Sequence, residues 1–238
     1  MFPLKDDIPT RRLPIVTFLL IAINVIVYFV LEQGLWDLGQ TGNEVVEDYG
    51  GVPVELTDGD NVLGSEDVPF WATAFSSMFL HGSLLHLGGN MLFLWIFGNN
   101  IEDSMGRLTF VAFYVLGGLA ALGLHVLTDP DSAVPVVGAS GAIAGVLGAY
   151  ARLYPRARVV TVVFIIIIFT VVTLPALLVL GLWFLLQLLP AFSEPSGAGG
   201  GVAYFAHIGG FVFGLLAIKF FANNVHEDYD RAHRLPVY

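Results

Sequence analysis

Apolar residues gather along the chain into six blocks, near residues 14 to 31, 76 to 98, 108 to 127, 140 to 154, 171 to 189 and 203 to 221. Most approach the roughly 20 residues that a helix needs to cross a hydrocarbon core of about 30 Å, so the pattern predicts six membrane-spanning helices. The fourth block is short, and its N-terminal end is a serine, Ser140. A further apolar run, "VVTVVFIIIIFTVV" (159 to 172), is rich in β-branched residues. It reads as an interfacial strand or as an extension of the fifth helix, with Pro175 marking where that helix begins or kinks. The first block is too long for the apolar core of a signal peptide and has no small-x-small cleavage site behind it, so it is expected to be retained.

Composition agrees with this pattern: 56% of residues are hydrophobic and 13% charged, and the mean hydropathy is +0.77. Those values lie outside the range of soluble domains. The absence of cysteine removes disulfides, thiolate metal sites and cysteine nucleophiles from consideration and leaves the redox compartment open. All ten basic residues fall on one side of the six-span arrangement: Lys5, Arg11 and Arg12, Arg107, Arg152, Arg156 and Arg158, then Lys219, Arg231 and Arg234. That side is expected to be cytoplasmic. The fold class expected is therefore an all-α polytopic membrane protein with six transmembrane helices and both termini cytoplasmic. Residues 1–13 form a cytoplasmic N-terminal segment, 14–221 the six-helix domain with an extracytoplasmic loop at 32–75, and 222–238 a cytoplasmic C-terminal tail. The 32–75 loop carries Glu32, Asp37, Glu44, Glu47, Asp48, Glu55, Asp58, Asp60, Glu66 and Asp67 and is expected to be a solvated exterior face.

The polar residues that interrupt the apolar blocks fall at one level. Span 4 begins at the outer face with Ser140, inside "VVGASGAIAGVLGAY" (136 to 150). Span 2 runs inward from "HGSLLHLGGN" (81 to 90), where His86 and Asn90 are four residues apart and share a helix face. Span 6 runs inward from "YFAHIGGFVFG" (204 to 214), with His207 about one turn below its outer end. Ser140, His207, His86 and Asn90 thus come from three spans and lie at one depth, where polar groups are costly and mark function. Gly141, Gly145 and Gly148 give span 4 a small face, and Gly210 with Gly214 form a GxxxG pair beside His207, so the helices can approach closely. This constellation suits nucleophilic catalysis: Ser140 as nucleophile, His207 as its base, and His86, the Asn90 amide and the Ser140 backbone N–H as donors to a developing oxyanion. No carboxylate lies at this depth, so a dyad is expected rather than a Ser-His-Asp triad.

These residues together resemble the rhomboid family of intramembrane serine proteases. "GASG" (138 to 141) matches its nucleophile motif, "HGSLLHLGGN" its second-helix motif and "AHIGGFVFG" (206 to 214) its sixth-helix motif; "GNNIEDSMGRLTFVAFYVLGG" (98 to 118) resembles its second-to-third helix junction. The resemblance covers roughly residues 10 to 221. It implies a serine endopeptidase that cleaves single-pass transmembrane proteins in or near their membrane segment, by way of an acyl-enzyme, without metal or other cofactor. It assigns Ser140 and His207 as the catalytic pair and His86 with Asn90 to the oxyanion site. It also implies lateral entry of the substrate helix between the second and fifth helices, making Trp183 a gate candidate. Two positions depart from the frequent family pattern. Ala72 follows Trp71 where an arginine is common, and Ala144 stands where an aromatic often lies beneath the histidine.

Alternative readings exist for each residue. Ser140 alone fits a helix cap or a packing position, and His207 alone fits a pore or packing histidine; their conjunction with His86 and Asn90 favours chemistry. His81 is expected to brace the outer loop, His125, His226 and His233 to be interfacial or tail residues, and Glu102, Asp103 and Arg107 to form a helix-junction ion pair or caps. A metal site from His81, His86 and His207 lacks a carboxylate and the spacing of zinc hydrolases. The competing classes are a non-catalytic rhomboid-like protein that binds transmembrane helices and a small transporter, the latter disfavoured by the lack of an evident inverted repeat. The partners expected are transmembrane protein substrates and the lipid bilayer, with no nucleic acid. The compact core without soluble domains suggests a multi-pass protein of a prokaryotic plasma membrane.

Overall fold

The computed structural model describes residues 2–36, 39, 41–63, 68–165, 168–193 and 203–222. Asp37, Glu66 and Asp67, and the tail residues 223–238 with His226, Arg231, His233 and Arg234, lie outside the described residues. In chain order the elements are β1 (Phe2–Asp6), α1 (Ile15–Val27) with a π-helical turn at Tyr28–Glu32, α2 (Gly42–Tyr49), α3 (Pro53–Asp58) and α4 (Phe70–Ser76). Next come α5 (Leu84–Phe93) with a second π turn at Leu94–Gly98, α6 (Asn99–Met105), α7 (Arg107–Thr128) and α8 (Ser140–Leu153). The chain continues through β2 (Arg158–Ile165), β3 (Ile168–Pro175), α9 (Ala176–Ser193) and α10 (Tyr204–Phe221).

Among the described residues, three helices, Ile15–Glu32, Arg107–Thr128 and Tyr204–Phe221, are long and apolar enough to cross a membrane. A fourth span results if Phe70–Phe79 and Leu84–Met105, bent by 78° at their junction, count as one. The second apolar block therefore does not run as one helix from residue 76: Ser83 starts a new helix by accepting the His86 backbone N–H at 3.1 Å. α8 has 14 residues, and Gly141 to Tyr150 are all buried. It is the central helix, packed against α10 and α7, and its neighbours rather than lipid cover its sides.

The all-α expectation is corrected by a three-stranded antiparallel sheet of order β1-β2-β3. Its cause is the run of β-branched side chains at 159 to 172, which are stiff at χ1 and fit a pleated surface better than a helix turn. Phe2 and Val171 flank Val162 in register, and the strand reading extends to Pro175, so the fifth helix begins at Ala176 rather than near 171. The N-terminal segment is consequently part of the folded unit. The 32–75 loop also needs correction as a purely solvated face. Glu32 is buried and accepts the His81 backbone N–H with both carboxylate oxygens at 2.9 Å. Glu55, buried too, accepts the N–H groups of Val62 and Leu63.

Buried polar groups tie the N-terminal elements to the core. Glu102, on α6, accepts the backbone N–H groups of Val16 and Thr17 and the Thr17 hydroxyl at 2.8 to 3.0 Å. It thereby supplies the cap that Pro14 cannot give α1 and places a carboxylate at a helix N-terminus. Asp103 accepts the Arg11 N–H at 2.9 Å. Glu102 is thus a cap, one of the two expected readings, while Asp103 holds the chain just before α1. Asp6 accepts hydrogen bonds from the Tyr150 hydroxyl at 2.6 Å and the Asn100 amide at 2.5 Å, joining β1 to α8 and α6.

Burial pushes the Asp6 carboxyl up from 3.8 to about 6, against the opposing hydrogen bond from Tyr150. A carboxyl that holds its proton more tightly when folded stabilises the fold at low pH, and this contribution is lost as the pH rises through about 6. Asp6→Asn keeps an acceptor oxygen without the charge. It should be more stable than wild type at pH 7.5, by at most about 3 kcal/mol, with the gap closing as the pH falls toward 4. Thermal unfolding of the two purified proteins across that range checks this; a gap independent of pH would refute it.

Candidate active site

Helix α8 opens with the sequence Gly138-Ala139-Ser140. Gly138 has φ +130, which side chains rarely adopt, and its N–H donates to the Ser77 carbonyl at 2.8 Å. A Cβ here would meet the His86 ring at 2.9 Å and Ser140 Oγ at 3.3 Å. Glycine is therefore required twice, by the backbone and by the space that the His86 ring and the serine hydroxyl occupy. Ser140 is the first residue of α8, so its N–H belongs to the unpaired, positively polarised end of the helix.

His207 lies in the first turn of α10, and its Nε2 is 2.7 Å from Ser140 Oγ. The close packing of α8 and α10 sets this distance. A Cβ on Gly210 would run into the Gly141 carbonyl oxygen, one on Gly214 into the Gly145 oxygen, and one on Gly148 into the Phe211 oxygen. The two helices thus meet backbone against backbone at these glycines. Ala144 is fully buried, and its Cβ would lie 3.2 Å from one on Gly210. The position four residues after the serine thus faces α10, and the imidazole finds support elsewhere. Its ring centroid is 5.8 Å from that of Trp183, and its Nδ1 is 2.7 Å from Gln187 Oε1.

His86 and Asn90 project from successive turns of α5. Asn90 is buried, and its side-chain Nδ2 has no hydrogen-bond partner. A buried amide donor left unpaired is costly and unusual, and an oxyanion is the kind of group that would satisfy it. His81 braces its neighbourhood in a different way from that expected. Its backbone N–H is held by Glu32, while its ring packs edge-on against His86 with centroids 5.1 Å apart. Ser140, His207, His86, Asn90, Trp183 and Gln187 all line one cavity of about 810 Å³. Trp183 stands at its wall between α9 and α5, 6.4 Å from Phe93 by ring centroids. Trp71, beside Ala72, is exposed on α4. Gln187 is the polar contact that sequence reasoning missed. A single glutamine in an apolar helix carries no spacing signal, and only its position four residues after Trp183 puts the two on one face.

A mostly helical membrane protein with a serine hydroxyl hydrogen-bonded to a histidine inside a largely apolar cavity is the class that fold and site define. The chain belongs to the rhomboid family: the model of the Rhomboid domain matches residues 69–224. Rhomboid protein 1, mitochondrial, of Saccharomyces cerevisiae is 31% identical over 161 residues, covering 65% of this chain and 43% of that protein. Rhomboid protease GluP of Bacillus subtilis is 30% identical over 136 residues, covering 57% of this chain and 24% of that protein. Rhomboid-like protein 11, chloroplastic, of Arabidopsis thaliana is 36% identical over 77 residues, covering 32% and 27%. In each case the match spans less than half of the relative's own length. The expectation of a prokaryotic plasma membrane is corrected by these relatives, of which the yeast and plant proteins are named for mitochondrion and chloroplast. A compact helical core is what the fold requires in any membrane, so compactness carries no information about compartment.

The α8–α10 contact yields a direct test. Gly214→Ala should destabilise the protein by about 1–3 kcal/mol, the usual cost of overpacking. It should also weaken any reaction that needs Ser140 and His207 in contact. Gly123→Ala, where a Cβ meets nothing within 4 Å, should leave thermal unfolding unchanged or raise its midpoint. Equal behaviour of the two variants would refute the glycine-determined approach.

Proposed function

We propose that this chain is an intramembrane serine endopeptidase that cleaves transmembrane protein substrates in or near their membrane segment. In this reading it has six spans, with both termini on the side that carries the basic residues. The observation that carries the proposal is the 2.7 Å contact between Ser140 Oγ and His207 Nε2, within the reach a nucleophile and its base require. Support comes also from membership of a family that includes a protein named as a protease.

Ser140 Oγ attacks the scissile carbonyl carbon as its proton passes to His207 Nε2. The carbonyl oxygen becomes an oxyanion that receives hydrogen bonds from Asn90 Nδ2, the His86 ring and the Ser140 backbone N–H. Collapse of this intermediate breaks the C–N bond, and His207 gives its proton to the leaving amine. The serine now carries the acyl group as an ester. Water then attacks the ester carbonyl while His207 takes one of its protons; the acid product leaves and Ser140 regains its hydrogen. In this scheme Trp183 is the gate residue between α5 and α9, past which the substrate segment reaches the cavity.

Purified protein should react with a fluorophosphonate probe, and both Ser140→Ala and His207→Ala should abolish the labelling while keeping the wild-type unfolding midpoint. Labelling of Ser140→Ala at the wild-type rate would remove the nucleophile assignment. No labelling of folded wild type in lipid would favour a non-catalytic helix-binding protein instead. Asn90→Ala should lower turnover of a transmembrane substrate about tenfold to a thousandfold, the range for loss of one oxyanion donor. Unchanged turnover would leave that role to His86 and the backbone.

A further inference from the structure

For His207 to act as a base toward Ser140, the imidazole must carry its proton on Nδ1 and leave Nε2 free to accept from the hydroxyl. In water the Nε2-protonated form of the neutral ring is at least as available, so something must select the other tautomer. The surroundings of Nδ1 provide that selection. Gln187 Oε1 lies 2.7 Å from Nδ1, and Gln187 Nε2 donates to the Trp183 carbonyl oxygen at 3.4 Å. Together these contacts imply one arrangement of the protons. A backbone carbonyl only accepts, so it takes the NH2 end of the amide and turns the amide oxygen toward the ring. That oxygen also only accepts, so the proton of the neutral ring must sit on Nδ1. Nε2 is left with its lone pair directed at the Ser140 hydroxyl 2.7 Å away.

We infer that Gln187 is the positioning residue of this site, holding His207 in the Nδ1-protonated form that makes it a base toward Ser140. The inference rests on the endopeptidase reading for its catalytic consequence. Its chemical content, the tautomer, is independent of that reading. Gln187 fills the place that a carboxylate takes in a triad, and it differs in one respect: a neutral amide orients the ring without a charge to stabilise the imidazolium. Its contribution is accordingly that of one neutral hydrogen bond. The contact comes from α9, one turn beyond Trp183, so the helix that walls the cavity opposite α5 also sets the base. The titratable groups around His207 from the other packed helices are His86 on α5 and His125 on α7.

The test uses the full-length protein in detergent and in lipid, with the wild type, Gln187→Ala, Gln187→Glu, Ser140→Ala and His207→Ala. Ring-nitrogen NMR of histidine-labelled wild type, with His207 assigned by its loss in His207→Ala, reads the tautomer without perturbing the site. Nδ1 protonation is expected. A ring protonated on Nε2 overturns the inference, whether or not the protein is a protease. In activity, Gln187→Ala should lower kcat and the fluorophosphonate labelling rate about threefold to tenfold, the worth of one neutral hydrogen bond, with KM unchanged. Its His207 signal should shift toward the Nε2-protonated form. Gln187→Glu should restore the rate, since a carboxylate oxygen accepts from Nδ1 as well. An active wild type with unchanged kcat and spectrum in Gln187→Ala overturns the positioning role alone. A wild type that never reacts with the probe overturns the endopeptidase reading, while its spectrum still decides the tautomer.

Discussion

The carbonyl oxygens of Gly141 and Gly145 lie where a side chain on Gly210 or Gly214 would begin, and this backbone contact between α8 and α10 is what the site depends on. In lipid, apolar side chains gain little by meeting each other rather than acyl chains, so helix association rests on close van der Waals contact and on hydrogen bonds. Glycine on both faces permits the shortest approach. The approach brings the first turn of α10 beside the first residue of α8, so that an imidazole and a hydroxyl meet at 2.7 Å. The same packing explains why the position four residues after the serine is alanine: it lies against Gly210, in a space that an aromatic ring would force open.

Around this rigid pair, buried carboxylates and amides determine where the remaining elements sit. Glu102 caps α1, Asp6 holds β1 to Tyr150 at the far end of α8, and Glu32 fixes the chain at His81 just before α5 starts. Each takes up backbone or side-chain donors that would otherwise be unpaired away from water. The nucleophile helix is thereby fastened at both ends. Its N-terminal end meets the His86 ring and α10; its C-terminal end is bound to the N-terminal strand. α9 is different, since its links to the site run through Trp183 and Gln187, two side chains one turn apart that reach the same imidazole.

Much of the site was legible because its residues break a strong pattern. A serine and a histidine amid glycine and alanine, and a histidine-asparagine pair at helical spacing, stand out against apolar blocks, and the positive-inside rule aligns them in depth. Gln187 was not legible, because one polar residue in an apolar helix can equally face lipid headgroups, another helix or a cavity. The run at 159 to 172 was ambiguous for a related reason: β-branched apolar residues suit a strand and tolerate a buried helix, and which one forms shows only in the pairing of β2 with β3 on one side and with β1, more than 150 residues away, on the other. The acidic stretch misled in part, since charge density predicts solvation while Glu32 and Glu55 each meet backbone donors that the sequence does not announce.

By itself, then, the sequence determined the membrane character of the chain, the helices that carry the polar residues and the identity of the serine-histidine pair, because hydropathy and helical spacing are local properties. Tertiary structure alone decided the broken second block, the sheet that joins the N-terminus to the α8–α9 connection, the unpaired Asn90 amide facing the cavity and the partner of His207 Nδ1. Those features arise where groups distant in the chain satisfy, or leave unsatisfied, one another's hydrogen bonds. No periodicity along a single segment encodes which distant donor meets which acceptor.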